Sequence, residues 1–445
     1  MTTDHSGKRE LPSAEDFEVV SLGTPTYPSP LLARPGIEFA DGENRILAYN
    51  TMAALAPYLE AGLALPSFDP AGARRDIFFD PATTRAGIVT CGGLCPGLND
   101  VIRGLVLTLH YAYDIRDVLG FRYGYSGLGK TPHAPPLALS PDSVSEIHHF
   151  GGTLLGSCRG TPPDAEIVDT LVREKIDLLF SIGGDGTLRG AHAISREIER
   201  RGLDIAVVAI PKTIDNDLAW VDRSFGFTTS VQEARRCIEG VHEEARGVWN
   251  GVGVVKLMGR DSGFIAAYAT LANQDVNFCL IPEVPFALVG ENGFLAALDR
   301  RLAEKHHAVV VVAEGAGQNI LPVHDSACDA SGNPKLGDIG PFLCSAIVDH
   351  FSERDHPVVP KYIDPSYLIR SLPAGGFDSG YCYALAQYAV HAAMAGKTGL
   401  FVGRNDNKYV HVPLPLGAGT RTQINPASYV WQRVLGATGQ PDSMM

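Results

Sequence analysis

The sequence predicts an α/β protein with two Rossmann-like domains built on parallel-rich sheets, preceded by an N-terminal extension. Three observations predict it. A short apolar run suited to a buried strand, a glycine turn and a helical apolar spacing follow one another over residues 85–110, and the unit recurs at 175–200 and 253–273. The 445 residues, 45% of them hydrophobic, exceed the usual size of one domain and can build substantial cores. Residues 1–82 contain Pro25, Pro28, Pro30, Pro35, Pro57, Pro66, Pro70 and Pro81, too many breaks for a doubly wound domain, so they read as an arm or embellishment.

Composition narrows the function classes. A net charge of −13 argues against a general nucleic-acid or membrane-surface binder, though an anionic substrate would need a local basic pocket. The longest apolar runs, such as residues 308–313, are far short of a membrane span, and residues 1–12 lack a signal-peptide core. A cytoplasmic protein is expected. Eight cysteines scattered without a secretory signal read as reduced thiols, and Cys91 and Cys95 as space-fillers because no second Cys/His pair has zinc-site spacing.

In chain order, one helix is expected over residues 50–63, with Thr51 a candidate cap. Residues 85–90 form a strand that enters Cys91-Gly92-Gly93-Leu94-Cys95-Pro96-Gly97-Leu98-Asn99, after which residues 100–110 are helical. Gly124-Tyr125-Ser126-Gly127-Leu128-Gly129-Lys130-Thr131 fits the P-loop pattern, but Pro132, Pro135 and Pro136 forbid the helix that a P-loop must enter. Residues 151–160 make a glycine-framed turn containing one arginine, Arg159, which a purely structural loop would leave solvated.

The densest chemistry lies at residues 181–217. A strand over 175–182 stops at Gly183-Gly184-Asp185-Gly186-Thr187, a helix follows to residue 200, and a second strand over 205–210 stops at Pro211-Lys212-Thr213-Ile214-Asp215-Asn216-Asp217. Two successive strands thus present carboxylates on adjacent loops, where parallel sheets hold ligands. The first turn suits a polyphosphate, because glycines let backbone N–H groups approach anionic oxygens and the next helix offers its positive end. Asp185 beside such oxygens is useful mainly with an intervening Mg²⁺ ion. Asp215 and Asp217, beside Lys212 and Thr213, supply a base, a helper carboxylate and a phosphate contact, the requirements of phosphoryl transfer to a hydroxyl.

Farther on, a strand over 253–257 leads into Met258-Gly259-Arg260-Asp261-Ser262-Gly263 and a helix over 264–273. A clear buried strand over 307–313 ends at Glu314-Gly315. A carboxylate there can accept sugar hydroxyls or simply sit at the rim. Residues 379–395 form a long helix of small and apolar residues. Repeats of useful length and low-complexity tracts are absent.

The two aspartate-bearing turns together resemble the 6-phosphofructokinase family, and the other segments agree with it in order over residues 85–405. The Gly-Gly-Asp-Gly-Thr turn alone is also similar to NAD and diacylglycerol kinases. The pair, followed by Met258-Gly259-Arg260, is specific. Tyr367-Leu368-Ile369-Arg370 resembles the eukaryotic-type, plant and trypanosomatid-like, version of the second sugar-phosphate segment.

The resemblance implies interleaved domains. Residues 83–227 with about 377–405 would be the ATP/Mg²⁺ domain, and 228–376 with about 406–435 the sugar-phosphate domain. Residues 1–82 could wrap a neighbouring subunit of a homo-oligomer, dimer or tetramer. It implies ATP and fructose 6-phosphate as substrates and Mg²⁺ held by Asp185. Asp215 is the implied base, helped by Asp217, Thr213 and Arg159. Gly93, Arg159, Gly160, Gly184, Asp185, Gly186, Thr187 and Gly190 are implied on the nucleotide. Thr213, Ile214, Asp215, Met258, Gly259, Arg260, Glu314, Tyr367 and Arg370 are implied on the sugar phosphate, Arg370 at its 6-phosphate. Residues 125–128 would lie near the adenosine.

Departures from the family pattern are Leu94, where an aspartate is usual, and Gly251, where many bacterial members carry a phosphate arginine. Gly186 and Lys212 bear on the donor. Pyrophosphate-using relatives usually carry Asp at the first position, which blocks the α-phosphate, and Lys at the second. Gly186 favours ATP, whereas Lys212 by itself favours pyrophosphate. Gly186 weighs more, because a steric and like-charge block excludes ATP outright while a lysine near anionic phosphates is compatible with either donor, so ATP is expected and pyrophosphate is the alternative. A kinase of the NAD or lipid type and a nonenzymatic nucleotide sensor are the remaining readings.

Overall fold

The computed structural model describes residues 11–158, 160–322, 335–352 and 357–445. The chain divides into two units and passes repeatedly between them. The described residues up to Thr213, Leu218–Gly226 and Leu372–Arg421 make the first, and Ile214–Asp217, Phe227–Ser371 and Thr422–Met445 the second. This is a mixed α/β fold with parallel-rich sheets, as the strand–turn–helix units predict.

The first unit is organised by a nine-stranded sheet. Its order is Ile46–Leu47, Ser67–Pro70, Lys408–Pro413, Leu400–Asn405, Ala206–Pro211, Leu178–Gly183, Ala86–Thr90, Val118–Phe121 and Leu137–Ala138. The five strands from Leu400–Asn405 to Val118–Phe121 are parallel and the outer ones antiparallel. Every residue of Leu178–Gly183 and Ala206–Pro211 is buried, which is why these runs are continuously apolar rather than alternating. The chain runs from Ala86–Thr90 to Val118–Phe121 on one side and later to Leu178–Gly183 on the other. The order therefore reverses at Ala86–Thr90, and the crevice at such a reversal is the usual ligand position in an open parallel sheet.

Residues 11–82 embellish the first unit: Ser67–Pro70 and Ile46–Leu47 extend the large sheet beyond Lys408–Pro413, and Val20–Ser21 pairs with Lys397–Thr398. Phe17 and Phe68 are fully buried and meet Trp220 edge-on at 5.3 and 5.8 Å. The prolines are compatible because Pro70 lies in a short outer strand and Pro28 in a two-residue ribbon, where few ladder donors are needed. The helix is shorter than expected, Met52–Glu60, and Thr51 stands at its N-cap without a side-chain capping bond.

Residues 406–421 also belong to the first unit rather than to the sugar-phosphate domain. Asp406 and Asn407 both have left-handed φ, 44° and 62°, the conformation of a two-residue hairpin turn. That turn folds Lys408–Pro413 back onto Leu400–Asn405 in the same sheet.

The helix Gly376–Met394 lies against Leu98–Tyr113 in the first unit. Their approach is close enough that a Cβ on Gly104 would lie 2.8 Å from that of Ala386, which explains the small residues in this helix. The P-loop-like stretch becomes a 3₁₀ turn, Gly124–Leu128, and the next regular element is the strand Leu137–Ala138.

The second unit holds an all-parallel sheet in the order Phe278–Leu280, His307–Ala313, Gly251–Leu257, Val359–Ile363. Phe227–Arg246, Phe264–Asn273, Phe294–Lys305, Ile339–Ser352 and Tyr429–Thr438 are its helices among the described residues. Its core includes Val252, Val254, Phe278, Phe294, Leu298, Val310, Val312, Leu343 and Phe351.

Candidate active site

Three loops converge at the strand-order reversal of the first unit. Ala86–Thr90 leads into residues 91–97, whose last residue, Gly97, starts the helix Leu98–Tyr113 at φ 104°. Both the backbone and the space demand glycine there, since a Cβ would fall 2.6 Å from Cys382 Sγ. Leu178–Gly183 leads into Gly184, the N-cap of Asp185–Arg200, with no side chain capping its first amides. The Cys91 amide donates to Ile182 O at 2.9 Å, which joins the two turns.

Residues 151–158 and 160 form the third loop. Asn99 donates to Phe150 O and accepts from the Leu154 amide, Thr90 Oγ1 donates to Gly156 O at 2.7 Å, and Ser157 Oγ donates to Gly92 O at 2.5 Å. The loop's flanks are therefore fixed beside Gly92, and Gly160 takes φ 99°. Arg159 lies outside the described residues.

Within the Gly183–Thr187 turn, Thr187 folds over Gly183, where a Cβ would meet its Oγ1 at 2.1 Å. Gly186 is exposed, and a Cβ there would find nothing within 4 Å. Open space at this position is the feature on which the donor expectation rests. Gly190 faces elsewhere: its missing Cβ makes room for the Tyr125 ring, 2.7 Å from Cε2. Tyr125 is buried and donates to Thr187 O at 2.9 Å, so it braces the turn from behind.

Asp185 is 12% exposed, accepts the Gly419 amide at Oδ1 (2.5 Å) and pairs at Oδ2 with Arg189 (3.2 Å). Its hard carboxylate oxygens suit Mg²⁺, and the exposed Arg189 can release Oδ2 toward such an ion. Among the described residues no cluster of three or more acidic, His or Cys groups forms a closed cage. A site that borrows substrate phosphates as ligands needs none.

The second strand end lies beside the first. Pro211 is in register with Gly183, and the Lys212 amide donates to Gly183 O at 2.9 Å. Lys212 is 7% exposed, and its Nζ lies 3.5 Å from where a Gly92 Cβ would stand, so its ammonium lies over the first turn. Ser224 Oγ donates to Thr213 O at 2.6 Å. After Thr213 the chain enters the second unit. Asn216 turns it at φ 55°, a conformation that Asn tolerates, leaving Asp215 half-buried and Asp217 buried.

In the second unit, the expected sugar-phosphate residues lie on adjacent parallel strand ends. Gly251–Leu257 leads to Met258, Gly259 and Arg260, and its neighbour His307–Ala313 to Glu314. The Glu314 amide donates to Leu257 O at 2.9 Å and that of Gly315 to Gly259 O at 3.0 Å. A Cβ on Gly315 would stand 1.8 Å from Arg260 O, so the two loops touch at backbone level. Burial pushes the Glu314 carboxyl upward, and Arg260, Lys256 and Arg370 oppose the shift without cancelling it. The Arg370 guanidinium stands 4.9 Å from the exposed Tyr367 ring.

Reading the sequence alone missed Lys256, whose ammonium pairs with Asp338 (2.8 Å) and Asp364 (2.9 Å) below this cluster. It also missed Arg189, which the i,i+4 spacing from Asp185 could have revealed. The Gly419 amide leaves no trace in side-chain patterns.

A parallel sheet with glycine turns at its reversal point, a carboxylate beside them and an aspartate loop on the next strand defines an α/β phosphotransferase. The chain belongs to the phosphofructokinase family: the family profile described as Phosphofructokinase matches residues 85–393. It is 46% identical to an ATP-dependent 6-phosphofructokinase of Borreliella burgdorferi, over 96% of this chain and 98% of that protein. A protein of the same description from Amycolatopsis methanolica is 48% identical, covering 96% and 95%, and one from Trypanosoma brucei brucei 43%, covering 94% and 86%. The fold is similar to the crystal structure of a pyrophosphate-dependent phosphofructokinase from Marinobacter aquaeolei, with TM-score 0.67 at 23% identity over 80% of this chain and 91% of that one.

Proposed function

We propose that this chain transfers the γ-phosphoryl group of ATP to the 1-hydroxyl of fructose 6-phosphate, giving fructose 1,6-bisphosphate. The observation that carries this is the pairing of Gly183 with Pro211 at adjacent parallel strand ends, which sets the Gly183–Thr187 turn beside Lys212, with open space beside Gly186. Whole-length similarity to ATP-dependent 6-phosphofructokinases supports it.

Asp215 accepts the proton of the attacking hydroxyl, and the buried Asp217 fixes the loop that presents it. Thr213, Lys212, the Thr187 side chain and the amides of residues 93 and 184–186 bind phosphate oxygens and offset the charge that develops during transfer. Gly160 and Arg159, on the neighbouring loop, belong to the same subsite by family resemblance. Asp185 would hold Mg²⁺, which when bound screens the donor phosphates. Ile214, Met258, Gly259, Arg260, Glu314, Tyr367 and Arg370 orient the sugar phosphate. Gly190 contributes through Tyr125 rather than by touching nucleotide.

No helix among the described residues is long and apolar enough to cross a membrane. A cytoplasmic homo-oligomer, dimer or tetramer, completes the proposal on the strength of the family resemblance. The test is a purified-protein assay crossing ATP and pyrophosphate with fructose 6-phosphate and other sugar phosphates. ATP-dependent formation of fructose 1,6-bisphosphate is expected. Strong activity with pyrophosphate and none with ATP would overturn the donor assignment.

A further inference from the structure

The stretch after Gly419, residues 420–424, was silent in the sequence but is bound at almost every position. The Thr422 amide donates to Asp217 O at 2.7 Å, Gln423 Nε2 to Asp261 O at 2.7 Å, and the Ile424 amide to Glu283 Oε1 at 2.8 Å. Three consecutive residues thus touch the aspartate loop, the 258–263 loop and a carboxylate behind it, all within the second unit.

Glu283 is the hub. It stands just beyond the strand Phe278–Leu280, and the same Oε1 accepts the Gly263 amide at 2.9 Å. Gly263 caps the helix Phe264–Asn273, so the carboxylate oxygen sits at the end of that helix where the first backbone N–H groups point outward. The seat is tight. A Cβ on Gly263 would stand 2.4 Å from the Ile281 side chain and 3.0 Å from Glu283 Oε2. That second oxygen is buried and has no hydrogen-bond partner among the described residues, so Glu283 is committed to backbone amides. Bonds from amides to an ionised carboxylate are the stronger, charge-assisted kind, and buried Ile424, 3% exposed, anchors the other end.

We infer that Glu283 is a positioning residue for phosphoryl acceptance. It touches no substrate, but fastens Gly263, the last residue of the 258–263 loop, to the strap at 422–424, and through the Thr422 amide to the loop carrying Asp215. The inference rests on the phosphofructokinase reading. It assigns to one carboxylate the task of keeping the sugar-phosphate contacts and the base in register, a requirement to which orientation-dependent catalysis is sensitive.

The experiment compares wild type, Glu283→Ala, Glu283→Gln and Gln423→Ala in steady-state kinetics with ATP and fructose 6-phosphate, and in amide hydrogen exchange. Glu283→Ala is expected to raise KM for fructose 6-phosphate and lower kcat, with a combined loss of roughly 10- to 100-fold in kcat/KM, while KM for ATP moves less than about twofold. Glu283→Gln, whose amide oxygen can accept both N–H groups, recovers most of that loss. Exchange at residues 258–263 and 422–424 rises in the alanine variant. Gln423→Ala changes an exposed side chain, so it reads the strap even if Glu283→Ala does not fold, and a smaller rise in the sugar-phosphate KM at unchanged Tm is expected. Unchanged sugar-phosphate KM in Gln423→Ala or folded Glu283→Ala, an equal shift in KM for ATP, or no rescue by glutamine overturns the inference. Wild-type protein that does not phosphorylate fructose 6-phosphate overturns the functional reading instead, and the exchange measurement still decides whether Glu283 holds the two segments.

Discussion

Gly186→Asp tests the donor assignment directly, because nothing else at that position should change. Gly186 is the second residue of the helix Asp185–Arg200, and a Cβ added there meets no atom within 4 Å. An aspartate in the first turn interacts favourably with the helix dipole, by about 0.3–1 kcal/mol, so the fold should hold. Its cost falls on the donor. A carboxylate about 4 Å from an α-phosphate oxygen is repelled by about 1 kcal/mol in bulk water and about 4 kcal/mol at an effective dielectric near 20. Gly186 is exposed, and nucleotide binding removes only part of the water, so a penalty of about 2–3 kcal/mol is expected, roughly 30- to 150-fold in kcat/KM for ATP. The assay couples fructose 1,6-bisphosphate formation to NADH oxidation through aldolase and a dehydrogenase that reduces the dihydroxyacetone phosphate released, with Gly186→Asn as the uncharged control. Pyrophosphate, which has no α-phosphate to meet the new charge, should lose far less. A folded Gly186→Asp enzyme whose ATP kcat/KM stays within about threefold of wild type would refute the placement of the nucleotide over this turn.

Asp215→Asn should lose roughly 10²–10⁴ in kcat, the usual scale of general-base catalysis, with fructose 6-phosphate binding retained in calorimetry; near-normal turnover would remove Asp215 from that role. Asp185→Ala should raise the Mg²⁺ concentration needed for half-maximal activity and cut turnover, since the carboxylate held by Gly419 and Arg189 is lost, and a wild-type Mg²⁺ titration would contradict the assignment. Gly315→Ala puts a methyl 1.8 Å from Arg260 O, so a destabilisation of about 1–3 kcal/mol in denaturant melts and a weaker sugar-phosphate KM are expected. In Asp69, burial pushes the carboxyl up, but hydrogen bonding and charge from His411, with Arg74 and Lys397, overcome it and hold the pKa at about 2, below the usual aspartate value. The stabilisation is present above the unfolded value and lost as pH falls through about 2. Thermal melts from pH 5 to 2 should therefore show an acid limb worth about 2 kcal/mol that Asp69→Asn removes.

The sequence by itself determined the alternation of strand, glycine turn and helix, because local apolar period and glycine placement belong to short stretches of chain. The helix Phe264–Asn273 and the strand His307–Ala313 have the bounds that their periodicity predicts. The positions of Asp185, Asp215, Glu314 and Arg260 at strand ends were legible for the same reason: a polar motif following a buried strand lies at that strand's C-terminal end. What the tertiary structure decided was which strand ends are neighbours. Register pairs Gly183 with Pro211 and Leu257 with Ala313, and no spacing in the chain encodes that.

The N-terminal extension shows the limit from the other direction. Its prolines suggested an arm or embellishment and could not say to what it attaches; the Phe17, Phe68 and Trp220 rings join residues some two hundred positions apart in one core. The roles of Gly419, Glu283 and Ile424 were invisible because they act through backbone amides and a carboxylate with no motif. Any residue can offer an N–H, so its identity carries no signal until the fold sets it opposite Asp185, Asp217 or Glu283.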